Sequence, residues 1–280
     1  MSDTLDFHHL LAEAAEQLEP LPAAAIQLAA VVSEPESGPE EITAVLGTDP
    51  ALAAHVLREA NSAFSASQTS IGSLEQAVVR IGAARVLEVA IRGQLGARLE
   101  TGLDLYELEG AERKRLAVGA SSAAAVISAA SPHRVSRDVV CAALLHGIGM
   151  DVIDAVADPD AAGPLRRADI PVRQMEHELV SADHAEVGGF ILQRWGLPAT
   201  LIDAVQHQHE PEHGVEAAVV CLATDLAAEL LFGDGDTPDD EADPSTSQAI
   251  AVLELDGRID EVRNAIRATL DADGLLGDEG

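Results

Sequence analysis

The chain has 280 residues, enough for one large domain or two small ones. It is 47% hydrophobic but only 2% aromatic, so its core must be built from Ala, Leu, Val and Ile. Alanine is the best helix former, and an all-α protein is expected. The net charge of −31 repels phosphate backbones and argues against a nucleic-acid partner unless a local basic patch exists. The densest basic run, Arg113-Lys114-Arg115, and the shorter Arg166-Arg167 are expected as solvated helix ends or loops. Lys114 is the single lysine; so acidic and lysine-poor a chain fits either a high-salt cytoplasm or GC-rich coding, and the sequence does not separate the two.

Cys141 and Cys221 lie in apolar stretches with no cysteine nearby, which fits two buried small hydrophobes in a reducing cytosol. A zinc site would need more Cys, or Cys and His at short spacing. The start, Met1-Ser2-Asp3-Thr4, lacks the basic and apolar regions of a signal peptide, and no stretch reads as a membrane span. A cytoplasmic protein without membrane contact is expected.

Residues 5–18 carry Leu11, Ala14, Ala15 and Leu18 on one helical face. Pro22 opens a second helix with a stripe of Ile26, Ala29 and Val31 or Val32, and residues 33–39 form a loop. A short helix over 40–46 follows. Asp49-Pro50 starts the next, Asp as cap and Pro as first helical residue, and it ends near Asn61-Ser62. Ser73 and Gln76 have capping-box spacing, so a helix begins at Leu74 and stops at Gly82; another covers 83–99.

Residues 101–111 read as a connector. A long helix spans 112–130, and Ser136 caps one carrying Val139, Val140, Ala143, Leu144 and His146. Residues 158–171 read as a loop and 172–180 as a helix. Asp183 and Glu186 form a capping box that puts His184 in the first turn of a helix ending at Trp195-Gly196. Trp195 is expected as a core anchor. Pro198 opens a helix to His207, an apolar helix over 215–232 contains Asp225, residues 233–247 form an acidic flexible loop, and a last helix covers 258–271. No alternating strand pattern and no internal repeat is found.

Two sets of segments carry a family resemblance. The first is Thr48-Asp49-Pro50-Ala51-Leu52, Leu57-Arg58-Glu59-Ala60-Asn61-Ser62-Ala63, Ile71-Gly72-Ser73-Leu74-Glu75-Gln76-Ala77 and Ile81-Gly82. The second is Leu144-Leu145-His146-Gly147-Ile148-Gly149, Asp183-His184-Ala185-Glu186-Val187-Gly188, Arg194-Trp195-Gly196-Leu197-Pro198 and His209-Glu210-Pro211. Together they resemble the HDOD domain, the HD-related output domain of bacterial signalling proteins, over about residues 18–270. The resemblance implies an N-terminal multi-helix lobe, residues 1–104, packed against a C-terminal HD-like helical lobe, residues 105–280. It also implies a regulatory role in a bacterial cytoplasm, with members usually treated as non-catalytic relatives of HD phosphohydrolases.

An HD phosphohydrolase holds one or two divalent metals that polarise phosphoryl oxygen and acidify a bound water. Its adjacent His-Asp pair places two ligands on one helix. This chain keeps His146, but Gly147 stands where the aspartate belongs, and glycine can neither ligate nor relay a proton. The region around Val118-Gly119-Ala120-Ser121-Ser122 lacks a further expected histidine, and Gln208 replaces one of a His-His pair. His146, His184, His209 and Asp225 fall where remaining ligands would lie, with Glu186 or Glu210 nearby; they could hold one divalent ion such as Mn, Fe or Zn. The alternative is structural. His146 bonds a backbone carbonyl or Asp225, His184 completes a helix start, and His207 and His209 follow a helix end, where a cationic imidazole is favourable. Asp49 and Asn61 are expected as helix-boundary residues. His8, His9, His55, His133, His177 and His213 show no shared metal spacing.

The expectation is therefore a non-catalytic signalling module without a resident cofactor, acting on protein partners through its interlobe groove or an apolar helix face. A reduced, single-metal phosphohydrolase acting on cyclic dinucleotides or nucleotides is the rival. A small-molecule sensor built on the old cleft is the third reading. An electrostatic partner should present a basic face. No sensor, receiver or DNA-binding segment is recognised, so input is expected from another chain or a neighbouring domain. The sequence does not set the oligomeric state.

Overall fold

The computed structural model describes residues 2–62, 71–167, 170–233 and 244–276. Among them there is no strand, only one isolated bridge between Leu103 and Leu108. The first half holds α1 (Ser2–Gln17), α2 (Ala23–Ser33), α3 (Pro39–Leu46), α4 (Pro50–Ser62), α5 (Leu74–Ile81) and α6 (Ala83–Leu99). After a 3-10 turn at Asp104–Tyr106 come α7 (Gly110–Ala130), α8 (Val139–Leu145), α9 (Ile148–Val156), α10 (Pro159–Arg167), α11 (Val172–Val180) and α12 (His184–Trp195). Then follow α13 (Ala199–Gln206), α14 (Val215–Phe232), α15 (Pro244–Val252) and α16 (Ile259–Ala272).

Capping chemistry sets these boundaries. Asp49 Oδ1 accepts the Ala51 and Leu52 amides at 2.8 and 3.2 Å, and Ser73 Oγ accepts that of Gln76 at 3.2 Å. Asp183 and Glu186 close a reciprocal box at the start of α12. Gly196 ends α12 in the left-handed region at φ 76°, where a Cβ would be strained. Asn61 does more than end α4. It donates to Leu57 and Ile71 carbonyls and accepts the Ile71 amide at 2.9 Å, clamping the chain ten residues on.

Five expectations are corrected. Residues 159–167 form α10, because Asp158-Pro159 starts a helix by the same chemistry as Asp49-Pro50, and Pro164 sits inside it. Residues 244–252 form α15 within the segment expected as an acidic loop; residues 234–243 of that segment lie outside the described residues. The inward face of α2 is Ala25, Leu28, Ala29 and Val32, leaving Ile26 half-buried. Asp138, not Ser136, occupies the cap position of α8, with the Ser136 hydroxyl donating to its carboxylate. Val139–Val156 does have the length and composition of a membrane span, yet it is two helices broken at His146-Gly147, and two-thirds of it is buried in the protein.

In the first half α2, α3, α4, α5 and α6 pack on one another; in the second α7 lies along α14, and α12 against α9 and α13. Buried apolar side chains of both halves form one continuous cluster, joined where α6 meets α7 and α8. Trp195 is buried in it as expected, with the Arg98 guanidinium 5.5 Å over its ring. Cys141 and Cys221 are buried and free. Helix α1, first in sequence, packs against α9 and α11 of the second half.

The α9–α12 contact fixes the position of His184. A Cβ on Gly149 would lie 2.0 Å from the His184 carbonyl oxygen and 2.7 Å from the Gly188 amide, so only glycine permits this approach. Gly149→Ala should cost about 2 kcal/mol through forced separation of the helices. Urea unfolding checks this, and an unchanged midpoint would contradict it.

Candidate functional site

The break between α8 and α9 presents His146, and its ring is buried. Nδ1 lies 2.8 Å from the Ala143 carbonyl oxygen, one of the two partners foreseen. Burial drives its pKa down to about 4, against the opposing pull of that carbonyl. Gly147 follows at φ −94°, and a Cβ there would meet only Met150 Sδ at 3.5 Å. Nothing in the backbone demands glycine, so a side chain at 147 would be accommodated without strain.

His184 and His209 meet. Their Nε2 atoms are 3.0 Å apart and the rings are edge to face, so one Nε2 donates to the other. His184 is held from behind by Glu176, whose carboxylate lies 2.8 Å from Nδ1 and also accepts the His184 amide at 3.1 Å. Tyr106, in the connector, donates its hydroxyl to the same carboxylate at 2.7 Å; burial first and then Glu176 push the phenol pKa far up. Glu176 is wholly inaccessible to solvent. Burial, followed by the nearby His184 and Arg173, lowers the His209 pKa to about 3. Asp183, beside them, is held below the usual carboxylate range. Burial opposes this, but the Glu186 amide and Arg173, whose Nε is at 2.8 Å, outweigh it. Gln208 donates to the His146 carbonyl at 2.9 Å, and its buried Oε1 receives no hydrogen bond.

Asp225 stands apart from this cluster. Its Oδ2 accepts from Thr246 of α15 at 2.7 Å and faces Cys221 Sγ at 3.8 Å, so the His146–Asp225 hydrogen bond weighed from sequence does not form. His207 ends α13 as expected, and His213 stacks on it at 3.5 Å with Asp203 reaching both rings. Among the described residues, groups of three ligand atoms gather only at Asp203, His207 and His213 and at His177, Asp183 and Glu186. Neither includes His146, His184 or His209. Catalytic metal sites of the HD kind draw on carboxylates as well as imidazoles, and a catalytic zinc takes three protein ligands. His184 and His209 bring two imidazoles together, one ligand fewer than that. A cavity lined by His146 and Gly147, otherwise mostly apolar, measures about 50 Å³, room for a water or two rather than a nucleotide.

Sequence reasoning missed Glu176 and Tyr106. The signal for Glu176 was present: it shares the inward face of α11 with Val180, four residues on, and a carboxylate on a core face needs a partner. It also missed that Arg113, expected in solvent, is buried against Asp151, with Nη1 donating to the Arg98 carbonyl at 3.1 Å.

The two depressed imidazoles set a pH dependence. Unfolded, each titrates near 6.5; folded, His146 titrates near 4 and His209 near 3. Between those values the unfolded state binds more protons, so their contribution is complete above pH 6.5 and is lost as pH falls toward 4. Each histidine should cost about 1.4 kcal/mol per pH unit in that window. Urea unfolding from pH 7 to 5 should show a slope that His146→Gln reduces; an equal slope in the variant would refute the assignment.

The residue-level resemblance is matched by comparison with known proteins. The family model of the HDOD domain matches residues 18–211. A crystal structure of an HDOD domain protein of unknown function from Geobacter sulfurreducens is 23% identical, with TM-score 0.67, covering 94% of this chain and 98% of that one. A candidate phosphohydrolase from Shewanella amazonensis SB2B is 24% identical, also with TM-score 0.67, covering 95% and 96%. An uncharacterised protein of Treponema pallidum (strain Nichols) is 24% identical over 238 residues, which span 81% of this chain and 45% of that longer protein. By the extent of the family match, this all-α chain belongs to the HDOD domain family.

Proposed function

We propose that this chain is a non-catalytic signalling module that works through protein–protein contacts and holds no resident metal. The observation that carries this is the state of the HD-like site. His184 is tied to His209 and to Glu176, and His146 to the Ala143 carbonyl, while Gly147 leaves the second ligand position of the His-Asp step empty. A buried imidazole pair backed by a carboxylate stabilises a fold; it supplies neither an activated water nor a clamp for a phosphoryl group. The charge of −31 favours a partner with a basic face, with binding that weakens as salt rises. The test is affinity purification from the host followed by reconstitution from purified components. Binding should survive in His184→Ala and fall with salt. Salt-independent binding would point to an apolar interface instead.

A reduced phosphohydrolase is the second reading, and one observation favours it. The Nε2 atoms of His184 and His209 are spaced as two ligands of one divalent ion such as Mn, Fe or Zn would be, and Glu176 behind His184 resembles the carboxylate that orients a metal-bound imidazole. Elemental analysis separates the two readings: stoichiometric metal, lost in His209→Ala, would support the second.

A further inference from the structure

We propose that the groove between the two halves, walled by α4, α6, α7 and the end of α16, binds an organic phosphate of nucleotide size. The cavity there is about 1420 Å³, beyond the usual ~300–1,000 Å³ of a small-molecule pocket. In a chain with 17 basic and 48 acidic residues, its lining includes Arg58, Arg85, Arg92, Arg115 and Lys114, the single lysine. Only Glu59 and Asp273 line it with the opposite sign.

The cations are not equally committed. Arg85 and Arg92 straddle the buried Glu88, at 3.0 and 3.3 Å, and both reach Glu59, so two arginines are matched by two carboxylates. Asp273, which accepts the Ser122 hydroxyl at 2.7 Å, offsets one of the other three, Arg58, Arg115 and Lys114, and the balance of the lining stays positive. Arg58 is exposed and takes part in no hydrogen bond or ion pair among the described residues. Arg115 donates to the Leu275 and Leu231 carbonyls, which carry no formal charge to neutralise it. Lys114 pairs with Glu100 at 2.6 Å, but both side chains are well exposed, and such a pair yields readily to a stronger anion.

Leu57, Val89 and Val118 supply an apolar wall for the part of the ligand that is not phosphate. A small anion fits better than a nucleic acid or acidic segment, because a polymer would extend its charge over a surface of net −31. The groove is separate from the imidazole site: none of His146, His184 or His209 lines it. A ligand there would touch α4 and α6 of one half and α7 and α16 of the other.

Calorimetric titration of the full chain at low salt, with ATP, GTP, adenosine and inorganic triphosphate as probes, tests this. A nucleoside triphosphate should bind one to one without added metal, and adenosine should not. Arg58→Glu and Lys114→Glu should each weaken binding about tenfold or more, whereas His184→Ala should leave it unchanged. Arg58 is exposed and has no ion pair among the described residues, so its reversal should not disturb folding. No nucleotide binding below about 1 mM at low salt, or an affinity unchanged from that of the unmodified chain in both reversal variants, would overturn the proposal. Inorganic triphosphate binding as tightly as ATP would overturn the nucleotide-sized ligand.

Discussion

Glu176→Ala is expected to destabilise the protein by about 3–5 kcal/mol, a drop of roughly 10 °C in melting temperature for a chain of this size. One inaccessible carboxylate collects the Tyr106 hydroxyl, the His184 ring and the His184 amide, from the connector and from the start of α12. Truncation leaves all three without their acceptor in a space that water reaches poorly. Each loss carries the desolvation cost of an unmade bond, not the smaller net worth of a bond exchanged with water. Glu176→Gln keeps one acceptor oxygen and should cost about half as much. Thermal and urea unfolding followed by circular dichroism measure both. A change below about 1 kcal/mol in Glu176→Ala would mean that the site tolerates open hydrogen bonds, and Glu176 would lose its place as the anchor of His184.

Asp138→Ala should cost about 3 kcal/mol for a related reason. Asp138 is also wholly buried, at the head of α8. It accepts the hydroxyls of Ser33 at the end of α2, of its neighbour Ser136, and of Thr200 on α13, the last at 2.6 Å. One side chain thus ties the first half of the chain to two helices of the second. Its loss should lower the urea midpoint without changing the slope, since the folded architecture persists while its stability falls. Ser33→Ala removes a single hydroxyl donor and should cost about 1 kcal/mol, because the carboxylate keeps its other two partners. Equal losses in the two variants would contradict the three-donor account.

The helices were legible where local chemistry decides them. Asp49-Pro50, Ser73 with Gln76, Asp183 with Glu186, and Gly196 place boundaries because capping is settled within four residues. The misses were of two kinds. At Asp158-Pro159 the same signal was present but outweighed by a surrounding composition of Asp, Gly and Pro. At α15, residues 244–252 pack on α14, and that tertiary contact is invisible in a local pattern.

The site divides in the same way. His146, His184 and His209 were found from spacing within an inherited pattern, and the structure brings the last two within hydrogen-bonding distance. Asp225 falls in the same pattern, yet its carboxylate turns to Thr246 of α15. Glu176 and Tyr106 were missed because their meeting spans 70 residues of chain, from the connector to α11. Arg113 was missed because a triplet of basic residues reads as surface, while burial of one of them is decided by Asp151 on a helix far along the chain.

The proposal that this HDOD chain does not hydrolyse phosphate esters turns on its HD-like site. Its most direct test is turnover of cyclic dinucleotides and a simple phosphodiester by purified protein supplied with Mn²⁺, beside His146→Ala and His184→Ala variants. The predicted result is no hydrolysis above that of either variant. Metal-dependent hydrolysis by the unmodified chain, abolished in His146→Ala, would contradict it.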